Sequence, residues 1–351
     1  MAISDRDGLE AARAAATVGS GAQALVAEQT AERYAKSLEV DLGGGPAGPG
    51  GRDREPAARS QWQLFWRRFF KHKLAVAAGA VLILLYLLAI FAPQIAPYKL
   101  NPNLDAKTLL DARHGPSMKH WFGTDELGRD QLTRVLYAGR ISLLVGLCVA
   151  LVSTLLGTAV GAVAGYFGGW VDQILMRFTD LFLVVPALAV LMMAQKGLAG
   201  KPILGHRLSS TNLIILILSF LFWQTIARVV RGVFLSLKEK EFVEAARASG
   251  ASSFRIITRH MLPNTVGPIA VNTTLVVGLA ILTESTLSFL GFGVQPPTVS
   301  WGNMLAQSEG AVGTNLAYLV YFPGLAILVT VLAVNFLGDG MRDAFDPQST
   351  H

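Results

Sequence analysis

The side chains that could catalyse a reaction or bind a metal are few in this sequence and far apart. Cys148, the single cysteine, lies inside an apolar run, where we expect a small buried core residue. No pair of histidines has the HExxH spacing of a zinc peptidase. Five of the six histidines are scattered and fall mostly between apolar runs: His72, His114, His120, His206 and His260. The sequence therefore predicts neither a metal site nor a catalytic centre.

Glu284, in LTESTLSFLGFG, is the one acidic residue that the sequence places well inside an apolar stretch. An ionised carboxylate there costs roughly 2.5 to 3.5 kcal/mol on insertion scales, so we expect it to face a partner, a cavity or a helix-bundle interior. Three roles are open: structural hydrogen bonding, lining a solute path, and proton coupling. The sequence disfavours the third, because we find no second intramembrane acid or histidine to complete a relay.

The composition explains why such residues are rare. Hydrophobic residues make up 52% of the 351 residues, charged residues only 15%, and the mean hydropathy is +0.45. These values indicate a protein that crosses a membrane several times. The net charge of +6 fits lipid headgroups and loop orientation, since the basic residues cluster beside apolar segments. We therefore expect contact with lipid and none with nucleic acid.

Six apolar stretches predict an all-α integral membrane fold with six transmembrane helices. They are Leu74 to Ala92, Ile141 to Tyr166, Leu181 to Ala194, Leu213 to Ala227, Gly267 to Leu290 and Leu316 to Leu337. The third and fourth are shorter than the roughly 20 residues of a span, but Val171 to Asp180 and Arg228 to Val230 can extend them. We place Asp180 at the cytoplasmic start of span three, where the helix dipole favours a carboxylate.

The chain divides into three parts by composition. Residues 1–60 predict a disordered cytoplasmic tail: residues 1–35 could form a weak helix, and Leu42 to Ser60 cannot bury enough apolar surface to stay ordered. Residues 61–73, including WQLFWRRFFKHK, predict an amphipathic aromatic and basic segment beside the membrane, and residues 74–347 the membrane domain. Within it, the basic loop 234–264 indicates a cytoplasmic side, so both termini should be cytoplasmic. The loop after span one is also basic, which weakens this orientation.

Glycines and prolines in the spans suggest how the helices pack. Gly157, Gly161 and Gly165 form a repeated GxxxG pattern, which predicts a close helix contact within this chain or with a partner. Pro186 in span three and Pro323 near the start of span six should bend or begin helices.

The loop between spans four and five predicts a helix pair joined by a tight turn. In SLKEKEFVEAARASG, helical spacing puts Phe242, Ala245, Ala246 and Ser249 on one side of a helix. Gly250 can end that helix in the left-handed conformation. The two small alanines should let the helix lie flush in the groove of a partner.

The second helix of this loop has its own start signal. Ser252 or Ser253 can cap it, and Pro263 marks the return to the membrane. Glu244 and Arg247 offer charge-assisted contacts at the edge of the first helix.

These residues resemble the EAA loop of membrane subunits of bacterial binding-protein-dependent ABC importers. The matching residues are Glu244, Ala245, Ala246, Gly250, Leu262 and Pro263, and His260 stands where the pattern usually has an aliphatic residue. Three other segments resemble the C-type subunit of the dipeptide and oligopeptide permease branch: His120 to Leu143, Gly165 to Asp180 and Leu287 to Leu305. The resemblance covers roughly Trp62 to Pro347, with Met341 and Phe345 replacing leucines in the closing sequence DGMRDAFDP.

The resemblance implies a type I (MetI-like) importer permease fold whose EAA loop forms coupling helices. ATP and Mg²⁺ would be bound by one or two partner ATPase subunits, since this chain has no GxxxxGK[ST] phosphate loop and should not be an enzyme. The other implied partners are a second permease subunit, forming a heterodimer, and an extracytoplasmic peptide-binding protein. Candidates for contacting that protein or gating the cavity, with loop packing equally open, are Asp125, Glu126, Arg129 and Asp130.

The cargo implied by the resemblance is dipeptides or oligopeptides, with nickel-chelates and haem as alternatives within the same permease type. An ion-coupled secondary transporter is the rival class, and it would need paired intramembrane ionisable groups, related halves and broken helices. We find none of these in the sequence.

Overall fold

The computed structural model describes residues 61–100, 109–198, 202–203, 206–207 and 209–345. The tail predicted for residues 1–60 and the last two residues of the membrane domain predicted for 74–347 lie outside this part of the chain. The described residues belong to one compact unit, Ser60–His351. They are helical apart from turns, loops and one antiparallel pair of two-residue strands, as the apolar composition predicts.

The helices in chain order are α1 Gln61–Lys71, α2 Lys73–Ile90, α3 Ala92–Ile95, α4 Gln131–Phe167, α5 Gly169–Val184, α6 Ala187–Leu198, α7 Ser210–Lys238, α8 Glu241–Ala248, α9 Ser253–Phe289, α10 Trp301–Gln307 and α11 Tyr318–Phe345. The strands β1 Pro202–Ile203 and β2 His206–Arg207 lie between α6 and α7. A π-helical segment, Ile256–Met261, lies within α9, and a 3₁₀ turn, Glu309–Ala311, follows α10.

Five of the described helices, α2, α4, α7, α9 and α11, are each long and apolar enough to cross a membrane. The pair α5 and α6, bent by 79°, passes the same test when taken together and gives a sixth crossing if the pair is one span. Arg231 on α7 binds Asp172 near the start of α5, while Gln195 near the end of α6 donates to the Ser210 carbonyl at the start of α7. The bent pair therefore runs along the length of α7, as a broken span does.

The third apolar stretch, Leu181 to Ala194, is divided at Pro186, where the sequence predicts that a helix bends or begins. The helix ends at Val184 and a new one begins at Ala187, with Pro186 between them. Proline lacks the backbone N–H and restricts the residue before it, so the break occurs where the sequence predicts a bend. Pro323, in contrast, lies inside α11, five residues after its start.

The placement of Asp180 at the start of span three is wrong. Asp180 lies in the last third of α5, and Asp172 is the acid in the first turn of that helix. The sequence treats Val171 to Asp180 only as an extension of span three, because the charged residues of this segment lower its hydropathy. In the structure the segment belongs to α5, which packs along α7.

The glycine ladder of α4 packs against α7 of the same chain, which confirms the predicted close contact. A Cβ on Gly157 would lie 2.5 Å from the carbonyl oxygen of Trp223, and one on Gly165 would lie 2.6 Å from Cβ of Phe234. A Cβ on Gly161, between them, would overlap the backbone of α7 as well. The two helices run parallel, because residues later in α4 meet residues later in α7.

Several helix ends meet where α7 ends and α9 begins, which we call the elbow end. The rings of Phe65 on α1 and Phe345 on α11 are 4.2 Å apart between centroids. His72 Nε2, between α1 and α2, lies 3.5 Å from Asp343 Oδ2 on α11. A Cβ on Gly267, near the start of the regular α-helical part of α9, would lie 2.8 Å from the Phe345 ring. The amphipathic segment predicted for residues 61–73 is therefore packed onto the end of α11.

Candidate coupling surface, buried carboxylate and far-end loops

Helix α8, which carries the EAA residues, is attached to the bundle through one side. Val243 is fully buried, in the same hydrophobic cluster as Ile256 and Met261 of α9. Ala246 is partly buried against that cluster, whereas Glu244 and Ala245 are exposed. The two alanines therefore differ: Ala246 packs inward on this chain, and Ala245 is the one that faces outward.

The turn after α8 has the predicted geometry. Gly250 has a φ of +77°, a conformation that glycine adopts without the steric cost of a Cβ. The Ser252 hydroxyl then accepts a hydrogen bond from the Arg255 N–H at 3.4 Å, so Ser252 is the cap that the sequence left open. Arg247, in the last turn of α8, is exposed.

Two details of the loop differ from the prediction. The residues SLKEK do not belong to the helix of the EAA motif, because α7 continues to Lys238 and α8 begins only at Glu241. The second cytoplasmic helix is not separate from the span either. The residues predicted to form the second helix are the first turns of α9. Pro263 lies in the first turn of the regular α-helical part of α9, which begins at Leu262, and a missing N–H is tolerated there. Leu262 beside it is half-buried.

We call the exposed side of this region the elbow surface: Phe242, Glu244, Ala245, Arg247 and Phe254. Phe254 is 77% exposed and Phe242 is 42% exposed. Sequence reasoning missed Phe254, although a large aromatic residue directly after a capped turn in a polar loop is a detectable signal. The elbow surface therefore combines two exposed rings with a flanking acid and base.

Glu284 is fully buried between α4, α9 and the segment before α10. Its Oε1 accepts a hydrogen bond from Ser288 at 2.7 Å, and its Oε2 accepts one from Ser142 of α4 at 3.1 Å. The Ser288 hydroxyl also lies 3.4 Å from that of Ser300, and it accepts from the Val294 N–H at 3.1 Å. The carboxylate thus lies at the centre of a serine network that joins three parts of the chain.

The far end of the bundle, where α4 and α11 begin, contains the acidic residues singled out in the sequence. Asp125 is buried, accepts from the Arg129 N–H at 2.8 Å and binds both the Arg129 and Arg134 side chains. Asp130 is buried too; it caps α4 by accepting from the Thr133 N–H at 2.8 Å.

The burial of these two aspartates supports the loop-packing alternative for them. His120 Nδ1 lies 2.9 Å from Asp130 Oδ1, a contact that sequence reasoning missed. Glu126 is exposed and pairs with Arg113 at 3.1 Å, while Arg129 is only partly exposed. On the same surface, a hydrogen bond from Lys119 lowers the pKa of the partly exposed Asp111 carboxyl.

Comparisons with known proteins identify the family. A family model described as "Binding-protein-dependent transport system inner membrane component" matches residues 157–351, and one described as "N-terminal TM domain of oligopeptide transport permease C" matches residues 60–116. The glutathione transport system permease protein GsiD of Escherichia coli O6:K15:H31 (strain 536 / UPEC) is 42% identical over 292 residues, covering 83% of this chain and 91% of that protein. GsiD of Shigella boydii serotype 4 (strain Sb227) gives the same values.

Among solved structures, the inward-facing MetNI methionine ABC transporter matches with a TM-score of 0.50 at 17% identity, covering 61% of this chain and 97% of that chain. At this identity the likeness shows the fold alone, which is the type I importer permease fold. In this family the ATPase is a separate subunit, and the permease is a multi-pass inner-membrane protein. The chain belongs to the binding-protein-dependent transport inner membrane components, as an ABC importer permease subunit of the dipeptide and oligopeptide type.

Proposed function

We propose that this chain forms half of the translocation path of an ATP-driven importer of dipeptides or oligopeptides, and that its elbow surface docks on a separate ATPase subunit. The observation that carries the docking proposal is the arrangement of α8. Val243 anchors the helix to its own bundle, while Phe242, Ala245 and Phe254 are left exposed beside Glu244 and Arg247. Exposed rings flanked by charges are typical of a protein interface.

The elbow surface is attached to a helix that can carry a movement across the membrane. Phe254 lies on the first turn of α9, which continues for 37 residues from Ser253 to Phe289. At 1.5 Å per residue this helix is about 55 Å long. Because Glu284 lies near its far end, a displacement at the elbow reaches the serine network without passing through a loop.

The proposed assembly follows from the family. We infer a heterodimer with a second permease subunit, one or two ATPase subunits that bind ATP and Mg²⁺, and an extracytoplasmic peptide-binding protein. The elbow end then faces the cytoplasm, and both chain termini lie on that side. The peptide cargo is supported by the match to a permease C domain and by relatives whose name assigns them glutathione transport.

Docking is tested by replacing Phe254 with aspartate in a co-expressed complex of both permease subunits and the ATPases. We expect Phe254→Asp to abolish co-purification of the ATPase, or its stimulation by loaded binding protein, because a charge replaces an apolar contact. The matched control is Leu110→Asp, since Leu110 is 78% exposed at the far end. Normal docking and uptake in Phe254→Asp would overturn the proposal for the elbow surface.

The cargo is tested by uptake into proteoliposomes that contain the complete complex and its binding protein. We expect ATP-dependent accumulation of a dipeptide or tripeptide. Accumulation of a nickel-chelate or haem instead would overturn the peptide assignment. Uptake that survives ATP depletion but not loss of the proton gradient would overturn the ATP-driven mechanism.

A further inference from the structure

An ion pair joins the neighbouring helices α5 and α7. Arg228 Nη2 on α7 is 2.5 Å from Asp180 Oδ1 on α5. Asp180 is eleven residues from Gly169 at the start of α5, about 16 Å along the helix axis. Arg228 is ten residues from Lys238 at the end of α7, about 15 Å from the same elbow end. Ala227, next to Arg228, packs against Gly161 of α4, five residues before the end of the apolar stretch Ile141 to Tyr166. Both groups therefore lie inside the apolar part of the bundle, about 8 Å from its edge at the elbow end.

The pair is part of a polar surface shared by two helices. On α5, Gln173, Arg177 and Asp180 are exposed and follow one another at spacings of four and three residues. Such residues lie on one face of a helix. On α7, Thr225 and Arg228 are exposed three residues apart, and they lie on the same helix face as Ser236 closer to the elbow end.

We call the six residues the polar path surface: Gln173, Arg177, Asp180, Thr225, Arg228 and Ser236. In the described part of the chain, the side chains of Arg228 and Asp180 are 50% and 53% exposed, so nothing covers them fully.

Lipid is a poor neighbour for this surface. A charged side chain in the apolar part of a bilayer is costly, up to roughly 2.5 to 3.5 kcal/mol at the centre on insertion scales, and intramembrane ionisable groups face a bundle interior or a water-filled cavity. A dry contact with another subunit would also remove water from both charges, at a cost that pairing alone does not always offset. The surface extends from the ion pair to Ser236 near the elbow end, as expected for a wet channel that opens there.

We propose that the polar path surface lines the water-filled cytoplasmic half of the translocation path, and that Asp180 and Arg228 receive the charged termini of a peptide in transit. This proposal rests on the peptide import proposed above. The Arg228 guanidinium has donors besides the nitrogen bound to Asp180, in a fork that matches the carboxylate at a peptide C-terminus. Asp180 can accept from the N-terminal ammonium. Because the two side chains also pair with each other, peptide binding is weak enough for release, as a conducting path requires.

The water accessibility of the polar path surface is tested with single cysteines, introduced into the assembled transporter in a Cys148→Ser background. A water-soluble thiol reagent is applied from the cytoplasmic side to Thr225→Cys, Ser236→Cys and the control Leu155→Cys. Leu155 is 71% exposed on α4, in an apolar setting. Thiolates form in water and are suppressed in apolar surroundings, so we expect the first two to react about tenfold faster or more, the factor for one unit of thiol pKa.

Reaction of Thr225→Cys as slow as that of Leu155→Cys would overturn the proposal, since it would mean that lipid or a partner subunit covers the surface. This outcome leaves peptide import intact, because the labelling does not depend on the cargo. Fast labelling in a transporter that moves no peptide would instead overturn the proposed function and with it the peptide-terminus site.

Recognition of the peptide termini is tested by protection of Thr225→Cys, one turn from Arg228. A dipeptide with free termini, added from the cytoplasmic side, should slow the labelling, and the C-terminal amide of the same dipeptide should not. Arg228→Gln should abolish the protection, whereas Lys119→Gln, which breaks an ion pair at the far end, should retain it. Equal protection by the amide, or no protection by either peptide, would overturn the site even if Arg228→Gln fails to fold.

Discussion

Ser142 on α4 donates a hydrogen bond to Glu284 on α9, with Oγ and Oε2 3.1 Å apart. The same serine hydroxyl accepts from the backbone N–H of Trp301, at 3.3 Å, at the start of α10. The buried Glu284 carboxylate therefore links two spanning helices, α4 and α9. The Ser142 hydroxyl connects this contact to the start of α10. The arrangement makes hydrogen bonding the first role to test for Glu284.

Replacing Glu284 with glutamine should be mild if its role is hydrogen bonding. The amide oxygen of Gln can still accept from Ser142, although its NH₂ group donates where the carboxylate accepts. Glu284→Leu should be severe, because buried serine hydroxyls lose their acceptor at about 1 to 3 kcal/mol each. The measurement is thermal unfolding in detergent, together with uptake in proteoliposomes. A stable Glu284→Gln variant without uptake would point to a role for the charge.

Replacing Gly250 with valine should uncouple transport from ATP hydrolysis. The φ of +77° is a strained conformation for a β-branched residue, and the turn between α8 and α9 would shift the elbow surface. Gly250→Asn is the matched control, because asparagine tolerates the left-handed conformation and no atom lies within 4 Å of the position that a Cβ would occupy. ATPase activity and uptake are measured in parallel. Normal uptake in Gly250→Val would contradict the coupling proposal.

A glycine-to-alanine substitution should change the stability differently at Gly161, in the glycine ladder, and at Gly197, outside it. Gly161→Ala should destabilise the protein by about 1 to 3 kcal/mol, because its Cβ would lie 2.9 Å from the Val230 Cβ and overlap the backbone of α7. Gly197→Ala, in α6, meets no atom within 4 Å and should be neutral or stabilising, since alanine is the better helix former. Thermal unfolding of the two variants decides between these expectations. A smaller loss at Gly161 than at Gly197 would mean that α4 and α7 are not in close contact.

The sequence predicted the parts of this fold that depend on local pattern. The GxxxG spacing gave the α4 contact, and Gly250 and Ser252 gave the turn of the elbow, because glycine and capping residues act within a few positions along the chain. Asp180 was misplaced for the opposite reason. Asp180 pairs with Arg228, 48 positions away in the chain, and a local pattern does not predict such a contact. Hydropathy alone therefore placed Asp180 at the edge of a span.

The same limit applies to the candidate site. The EAA residues are recognisable in the sequence, but the different orientations of Ala245 and Ala246 depend on where Val243 is anchored. The broken third span and the Asp180–Arg228 ion pair likewise remove two of the grounds on which the sequence excluded a secondary transporter. Family membership, rather than helix continuity, now distinguishes the two classes.

The acids of the far end provide a final prediction, because adjacent residues differ in burial. Asp125 is buried and binds Arg134, whose own side chain is buried. Asp125→Asn removes the negative charge and should cost about 3 to 5 kcal/mol, the range for breaking a buried ion pair from one side.

The control for Asp125→Asn is Glu126→Gln, which breaks the exposed pair with Arg113 and should cost about 0 to 1 kcal/mol. Thermal unfolding in detergent measures both variants. If Asp125→Asn has normal stability but loses uptake driven by the binding protein, Asp125 serves the partner contact rather than loop packing. If Glu126→Gln alone loses that uptake, the partner surface includes the exposed acid, and Asp125 acts beneath it by fixing the loop to α4 through Arg134.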